Sequence, residues 1–243
     1  MHPQPVGAHR HPVIGRQRRA QLARGTVFQK IGRRPRAQKG QPARGKNGDQ
    51  ADGKDLSAWE SVKGGAAEWD VHDGVFTVNK KKGDIQTKQK FNDFQMHIEW
   101  QVPTNITGES QSRGNSGIFL QGMYEVQVLD CYNNPTYVNG QTGSIYKQSI
   151  PLANAMRKPG EWNVYDIIYT APTFKEDGSY RTHPTVTVIQ NGVVLQNHTT
   201  ILGTTEWIGF PQVKKHGAGP IILQSHGDPS EPISFRNIWI REL

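Results

Sequence analysis

Glu125 and Gln127 stand two residues apart in Tyr124-Glu125-Val126-Gln127-Val128-Leu129-Asp130. In an extended chain that spacing puts the carboxylate and the amide on one face and Val126 and Val128 on the other. Ile222-Leu223-Gln224-Ser225-His226 makes the same choice with Gln224 and His226, and Arg236 stands opposite Phe235 in Ser234-Phe235-Arg236-Asn237. For any one segment an ordinary solvent-facing strand explains the alternation equally well. Together the segments collect an acid, amides, an imidazole and a guanidinium, which is the inventory that binds a polyhydroxylated ligand. Carboxylates and amides meet sugar hydroxyls in pairs, and rings cover the apolar face of a pyranose. Tyr124, Tyr132, Tyr137, Tyr146 and Trp162 are the rings available.

Other chemistries leave less trace. Arg113-Gly114-Asn115-Ser116-Gly117 reads as a turn leading into a strand, fixing Arg113 and Asn115 at the edge of a groove. No Lys-Ser/Thr pair follows it and no βαβ pattern surrounds it, so a phosphate loop is not indicated. Ser116 lacks the Gly-x-Ser-x-Gly elbow of a nucleophilic serine. Paired cysteines and a His-Glu-x-x-His run are absent from the sequence. Glu125, Asp130 and His226 could still converge as an oxygen-rich site for Ca²⁺ or Mn²⁺, with His226 as a structurally satisfied histidine the alternative. Cys131 is the single cysteine, which excludes an internal disulfide and fits a small buried apolar group.

The elements that must carry these residues read as strands. Phe94-Gln95-Met96-His97-Ile98-Glu99-Trp100-Gln101 alternates without a break, which predicts a half-buried antiparallel strand with Trp100 in the core. Further strands are expected at 75–78, 118–121, 124–130, 144–148, 164–169, 185–190, 193–196, 221–225 and 233–240. Asn191-Gly192 between Val-Thr-Val-Ile-Gln and Val-Val-Leu-Gln predicts a hairpin with a type I′ turn. Residues 152–157 have room for one helical turn before Pro159. Many short strands, turn formers between them and no alternating helices predict an all-β sandwich or jelly roll.

Charge divides the chain. Residues 1–49 carry 12 of the 29 Lys and Arg and one acidic residue, Asp49, among repeated Gly and Pro. That composition predicts a disordered basic leader, for which a nucleic-acid or membrane-surface arm is one reading and a linker or a misassigned translation start are the others. Residues 50–243 carry 17 basic and 20 acidic side chains, so the expected folded domain has no basic excess to attract nucleic acid. No transmembrane segment and no recognisable signal peptide are expected from the apolar patterning.

Taken in order, the segments resemble the 3-keto-disaccharide hydrolase domain family. The similarity runs from Asp52-Gly53-Lys54-Asp55-Leu56-Ser57-Ala58-Trp59 through residues 69–74 and 83–100. It is dense across 113–130 and 142–148, and it closes over 154–167, 219–227 and 233–243. The resemblance implies a concanavalin-A-like jelly-roll β-sandwich, periplasmic or secreted, acting on an oxidised disaccharide or glycoside that carries a ketone at C3. It also implies a polar groove lined by Arg113, Asn115, Glu125, Gln127, Asp130, Tyr146, Lys147, His226 and Arg236. The family's usual export signal and short preceding strand have no counterpart in the Gly/Pro-rich residues before Asp52.

A C3 ketone acidifies the C2 proton, and the glycosidic oxygen on C1 is then β to the resulting carbanion. Elimination of the aglycone followed by hydration gives net hydrolysis. The chemistry needs a base at C2, an electrophile at the C3 oxygen and a proton donor for the leaving oxygen. On this reading the catalytic candidates are His226 or Glu125 as base, Tyr146 as donor or orienting group, and Lys147, Arg236 or a divalent ion as electrophile. Arg113, Asn115, Gln127, Gln224, Arg236 and Trp162 are the substrate-binding candidates. Two alternatives use the same fold: a noncatalytic carbohydrate-binding module, and a classical glycoside hydrolase with two carboxylates across the groove.

Overall fold

The structure is a computed structural model, and it describes residues 55–243. The expected leader, residues 1–49, lies outside the described residues. Two antiparallel sheets stack face to face. The five-stranded sheet runs β1 (Trp59–Ser61), β4 (Ile85–Thr87), β13 (Ile222–Leu223), β6 (Asn115–Leu120), β7 (Tyr124–Leu129). The seven-stranded sheet runs β12 (Val193–Thr200), β11 (Thr185–Gln190), β8 (Trp162–Thr170), β5 (Phe94–Gln101), β14 (Ser234–Glu242), β3 (Val75–Thr77), β2 (Asp70–His72). A small hairpin pairs β9 (Thr173–Phe174) with β10 (Tyr180–Thr182). The described residues form an all-β sandwich of antiparallel sheets, consistent with a jelly roll.

Period two explains the layering. On β5, Phe94, Met96, Ile98 and Trp100 are fully buried while the residues between them are half-buried. With Tyr165, Ile167 and Tyr169 of β8 and Phe235 of β14 they form one core with Ile118, Leu120, Tyr124, Val126 and Val128 of the facing sheet. The Trp100 and Tyr165 rings meet edge to face at 5.6 Å, a geometry that adds to the burial of both rings. The expected hairpin is present: Asn191 and Gly192 both take positive φ, 52° and 85°, between paired Gln190 and Val193. Asp73-Gly74 does the same between β2 and β3.

Several element boundaries differ from expectation. Residues 144–148 are not a strand; they lie along the free edge of β7, where Gln127 N–H donates to the Ser144 carbonyl and Tyr146 N–H to that of Glu125, and only Ile145 is bridged. Residues 152–157 form no helical turn. The strand expected over 221–225 shrinks to Ile222–Leu223, because Ser225 N–H leaves the ladder for the Asp84 carboxylate at 2.8 Å.

Candidate functional site

β7 is buried on both faces, and this is what makes Glu125 unusual. Val126 and Val128 enter the core as expected, while Glu125 and Gln127 occupy the outer face of the five-stranded sheet beneath chain from the connecting loops. The Glu125 carboxyl lies over Gly117 of the neighbouring strand. A Cβ added there would stand 2.5 Å from Glu125 Oε1, so the glycine is the floor on which the carboxyl rests. Gln127, with its amide nitrogen toward Glu125, donates to Oε1 at 3.0 Å and to the Ser116 carbonyl at 2.9 Å, and its other end abuts Gln111 at 3.1 Å. Burial, with a smaller contribution from the charge of Asp84, pushes the Glu125 pKa up to about 8. Burial therefore favours the protonated form of Glu125 at neutral pH.

Asp84 comes from the turn before β4. Its own pKa is raised by burial, against the opposing pull of Ser225 N–H, Lys63 and His226. It sits within electrostatic reach of both Glu125 and His226 and joins them to one site.

His226 follows β13 on the same face, with Asn115 Nδ2 3.5 Å from its Nε2. Its Nδ1 lies 3.0 Å from Asp228 Oδ2. Burial would raise the Asp228 pKa, but hydrogen bonds from His226 and Ser230 and the charge of Lys80 lower it below the usual carboxylate value. The Asp228 N–H lies 3.2 Å from the same Nδ1, so Asp228 engages that nitrogen from both its carboxylate and its backbone, while the Asn115 amide faces Nε2. Asn115 in turn donates to the Gln111 carbonyl at 2.9 Å, and the Gln111 side chain abuts Gln127 at 3.1 Å, so one polar row runs from His226 toward Glu125. Gln224, two residues before His226, has its Oε1 buried without a hydrogen-bond partner among the described residues.

Tyr146 and Lys147 border the row at one end. The Tyr146 hydroxyl lies 2.6 Å from that of Tyr137. Burial raises the Tyr137 pKa first, and the Tyr146 hydrogen bond and the nearby charges of Tyr146 and Glu125 add to it. Lys147 donates to the Trp207 carbonyl and stands 5.4 Å from the Tyr146 ring centre. Its ammonium thus holds the Trp207 loop. Tyr137, Tyr146 and Lys147 open onto a cavity of about 400 Å³.

Two substrate-binding candidates are elsewhere. Arg236 and Trp162 lie on the outer face of the seven-stranded sheet, on the far side of the core, with the guanidinium 3.9 Å from the Trp162 ring centre and Nε 2.6 Å from Glu99 Oε2. Alternation tells which side of a strand a residue takes, but not which sheet the strand joins. The expected metal set also separates. Asp130 accepts from Arg113 Nε at 2.8 Å and from Tyr132 N–H at 2.9 Å, and no group of three His, Cys, Asp or Glu placed to hold a metal ion occurs among the described residues. Glu125, Asp130 and His226 do not fit Ca²⁺ or Mn²⁺. Arg113 is correspondingly tied to Asp130 and, at 3.5 Å, to the Tyr132 carbonyl. Cys131 is buried with its thiol pushed up to about 11, so it is unreactive. Asp84, Asp228 and Gln111 complete the site without having been expected; of these only Asp228, two residues after His226, carried a readable signal.

Residues 49–241 match the family model described as 3-keto-alpha-glucoside-1,2-lyase-like domain. A 3-keto-disaccharide hydrolase of Bacteroides thetaiotaomicron is 27% identical over 239 residues, covering 79% of this chain and 77% of that protein. Two candidate glycosyl hydrolases of Parabacteroides distasonis share the fold. One gives a TM-score of 0.56 at 22% identity, covering 79% of this chain and 91% of the other. The second gives 0.52 at 22% identity, covering 76% and 99%.

Proposed function

From the premise that the chain belongs to the 3-keto-alpha-glucoside-1,2-lyase-like domain family, we propose that it cleaves 3-keto-glycosides, 3-keto-disaccharides among them, by elimination and hydration. The observation that supports this best is two titratable groups in unlike surroundings on one face: Glu125, buried with its pKa pushed up to about 8, and His226, partly exposed and held at Nδ1 by Asp228. Opposed acid and base are what proton abstraction coupled to leaving-group departure requires.

His226 Nε2 takes the C2 proton. The electrons of the C2–H bond become the C1=C2 double bond as the C1–O bond breaks, and the departing oxygen takes the Glu125 proton. Asn115 Nδ2, beside the imidazole, donates to the C3 oxygen as charge develops there. Water then adds at C1, giving its proton to the Glu125 carboxylate, while the imidazolium returns a proton to C2. The product is the 3-keto sugar, and both side chains are restored.

The test is turnover of a 3-keto-disaccharide beside its unoxidised parent in heavy water. Deuterium at C2 of the product and an inert parent are expected. A product that keeps its C2 hydrogen, with the solvent isotope absent from carbon, contradicts elimination. The electrostatic coupling of Asp84 and Glu125 favours a second reading, direct hydrolysis by two carboxylates, and that reading requires the parent glycoside to be cleaved.

A further inference from the structure

Beside the acid lies a loop whose composition the reaction above leaves unexplained. Trp207, Ile208 and Phe210 are 76%, 77% and 85% exposed, three large apolar side chains within four residues. The loop is nevertheless fixed at its base. Thr204 N–H donates to the Gln212 carbonyl at 2.9 Å and Gln212 N–H to Thr204 Oγ1 at 3.2 Å. A Cβ on Gly203 would stand 2.6 Å from the Gln212 carbonyl oxygen, so the two arms of the loop touch. Thr205 continues into the site itself, accepting from Glu125 N–H at 3.0 Å.

Phe210 and Pro211 form one wall of the cavity whose opposite wall is Tyr137 and Tyr146. Three polar side chains that line it are already engaged with the protein. Lys147 donates to the Trp207 carbonyl; Gln148 donates to the Gly203 carbonyl at 3.0 Å and accepts from Leu202 N–H at 2.9 Å; Glu206 accepts from Thr204 Oγ1 at 2.6 Å. Asn139 and the paired Tyr137 and Tyr146 hydroxyls add polar groups to the lining, and the rest of what the cavity offers an occupant is ring face and aliphatic surface. A second sugar, which brings hydroxyls on every edge, would leave most of them without partners there. A flat apolar ring would lose nothing and would cover Phe210 and the rings opposite.

Resting on the reaction proposed above, we infer that this cavity is the leaving-group subsite and that it selects an aryl aglycone, with Phe210 as the specificity-determining residue. The chemistry agrees with the placement. Tyr137, which lines the cavity, lies within electrostatic reach of Glu125, and Thr205, which accepts from the Glu125 N–H, stands at the base of the loop that carries Phe210. A phenol is also a weaker base than a sugar hydroxyl, so its departure leans less on proton donation.

The experiment compares kcat/KM for 4-nitrophenyl 3-keto-glucoside and a 3-keto-disaccharide in the wild-type protein and in Phe210→Ala, with calorimetric binding of unoxidised 4-nitrophenyl glucoside as an independent arm. Phe210 is exposed, so its truncation leaves folding intact. We expect the aryl substrate to be preferred by at least about tenfold, and Phe210→Ala to remove about that factor while changing disaccharide turnover less than about twofold. Equal use of the two substrates, or equal loss on both in Phe210→Ala, would overturn the inference. If the wild type turns over neither, the proposed reaction fails, and binding then decides the subsite. Binding of the aryl glucoside that is lost in Phe210→Ala sustains it, and binding unaffected by the substitution, or none, overturns it.

Discussion

The two outer faces of the sandwich carry nearly the same side chains in opposite circumstances. On the seven-stranded sheet Glu99 is matched by Arg236 at 2.6 Å and by Asn237 at 2.9 Å, and His97 by Asp166 at 2.7 Å. Burial alone would raise the Glu99 pKa, but Asn237 and Arg236 bring it below the usual value, so it is ionised and spent. On the five-stranded sheet no cation pairs with Glu125 among the described residues; its neighbours are an amide, a glycine and another acid, and burial raises its pKa to about 8. The imidazoles differ likewise. His97 lies between Asp166 and Glu99 and stacks on Trp239 at 5.4 Å, whereas His226 has a carboxylate at one nitrogen and only the Asn115 amide, at 3.5 Å, beside the other. Residue type alone does not mark a site. An uncompensated group under loops does, because its burial costs stability that a purely structural role would not justify.

The contrast breaks most readily at the acid and base. Glu125→Gln and His226→Ala should each lower kcat on a 3-keto-glycoside by about 10²–10⁴-fold, the usual range for a general acid or base, with thermal unfolding at pH 7 not weakened in Glu125→Gln. Loss of activity together with loss of fold would assign these residues to structure. Gly117→Ala should follow, at about tenfold to a hundredfold, because the added methyl displaces the Glu125 carboxyl without removing it; unchanged kinetics would mean that its position is not critical.

Stability against pH should separate the faces by sign. The raised Glu125 pKa stabilises the fold below its unfolded value near 4.5, and that contribution is lost as pH rises toward about 8. Glu125→Gln should therefore gain on the wild type across that window. Glu99, with its lowered pKa, contributes stability above 4.5 and loses it as pH falls, so Glu99→Gln should be the less stable protein at neutral pH and converge with the wild type in acid. Denaturant midpoints measured from pH 3 to 9 check both, and parallel curves would contradict both. The smallest effect belongs to Arg236→Ala, expected to leave kcat/KM within about twofold and to cost about 1 kcal/mol through the lost contact with Trp162 and the half-exposed ion pair.

How far this was legible before the structure depends on the kind of signal. Strands with strict alternation, β5 and β7 above all, were readable with their faces, and so were Glu125, Gln127, Gln224 and His226. Strand length failed where the ladder is broken by a side chain, as Asp84 breaks it at Ser225. Asp84 itself sits in Lys-Lys-Gly-Asp, a segment that reads as a turn and gives no reason to place its carboxyl beside Glu125. Arg236 and Trp162 were placed in the groove because pairing between distant strands leaves no mark on either strand's own sequence. The loop at Trp207–Phe210 has no period at all, and only its exposure in the fold sets it apart.

Proton donation to the leaving oxygen requires Glu125 to be protonated at neutral pH. Difference infrared spectroscopy across a pH titration reads that state directly, with Glu125→Gln as the reference. The expected result is a protonated-carboxyl C=O band present at pH 7, vanishing through about pH 8 and missing from the variant. A band that disappears with the ordinary carboxylates near pH 4–5 would show Glu125 ionised at neutrality and unable to donate to the leaving oxygen.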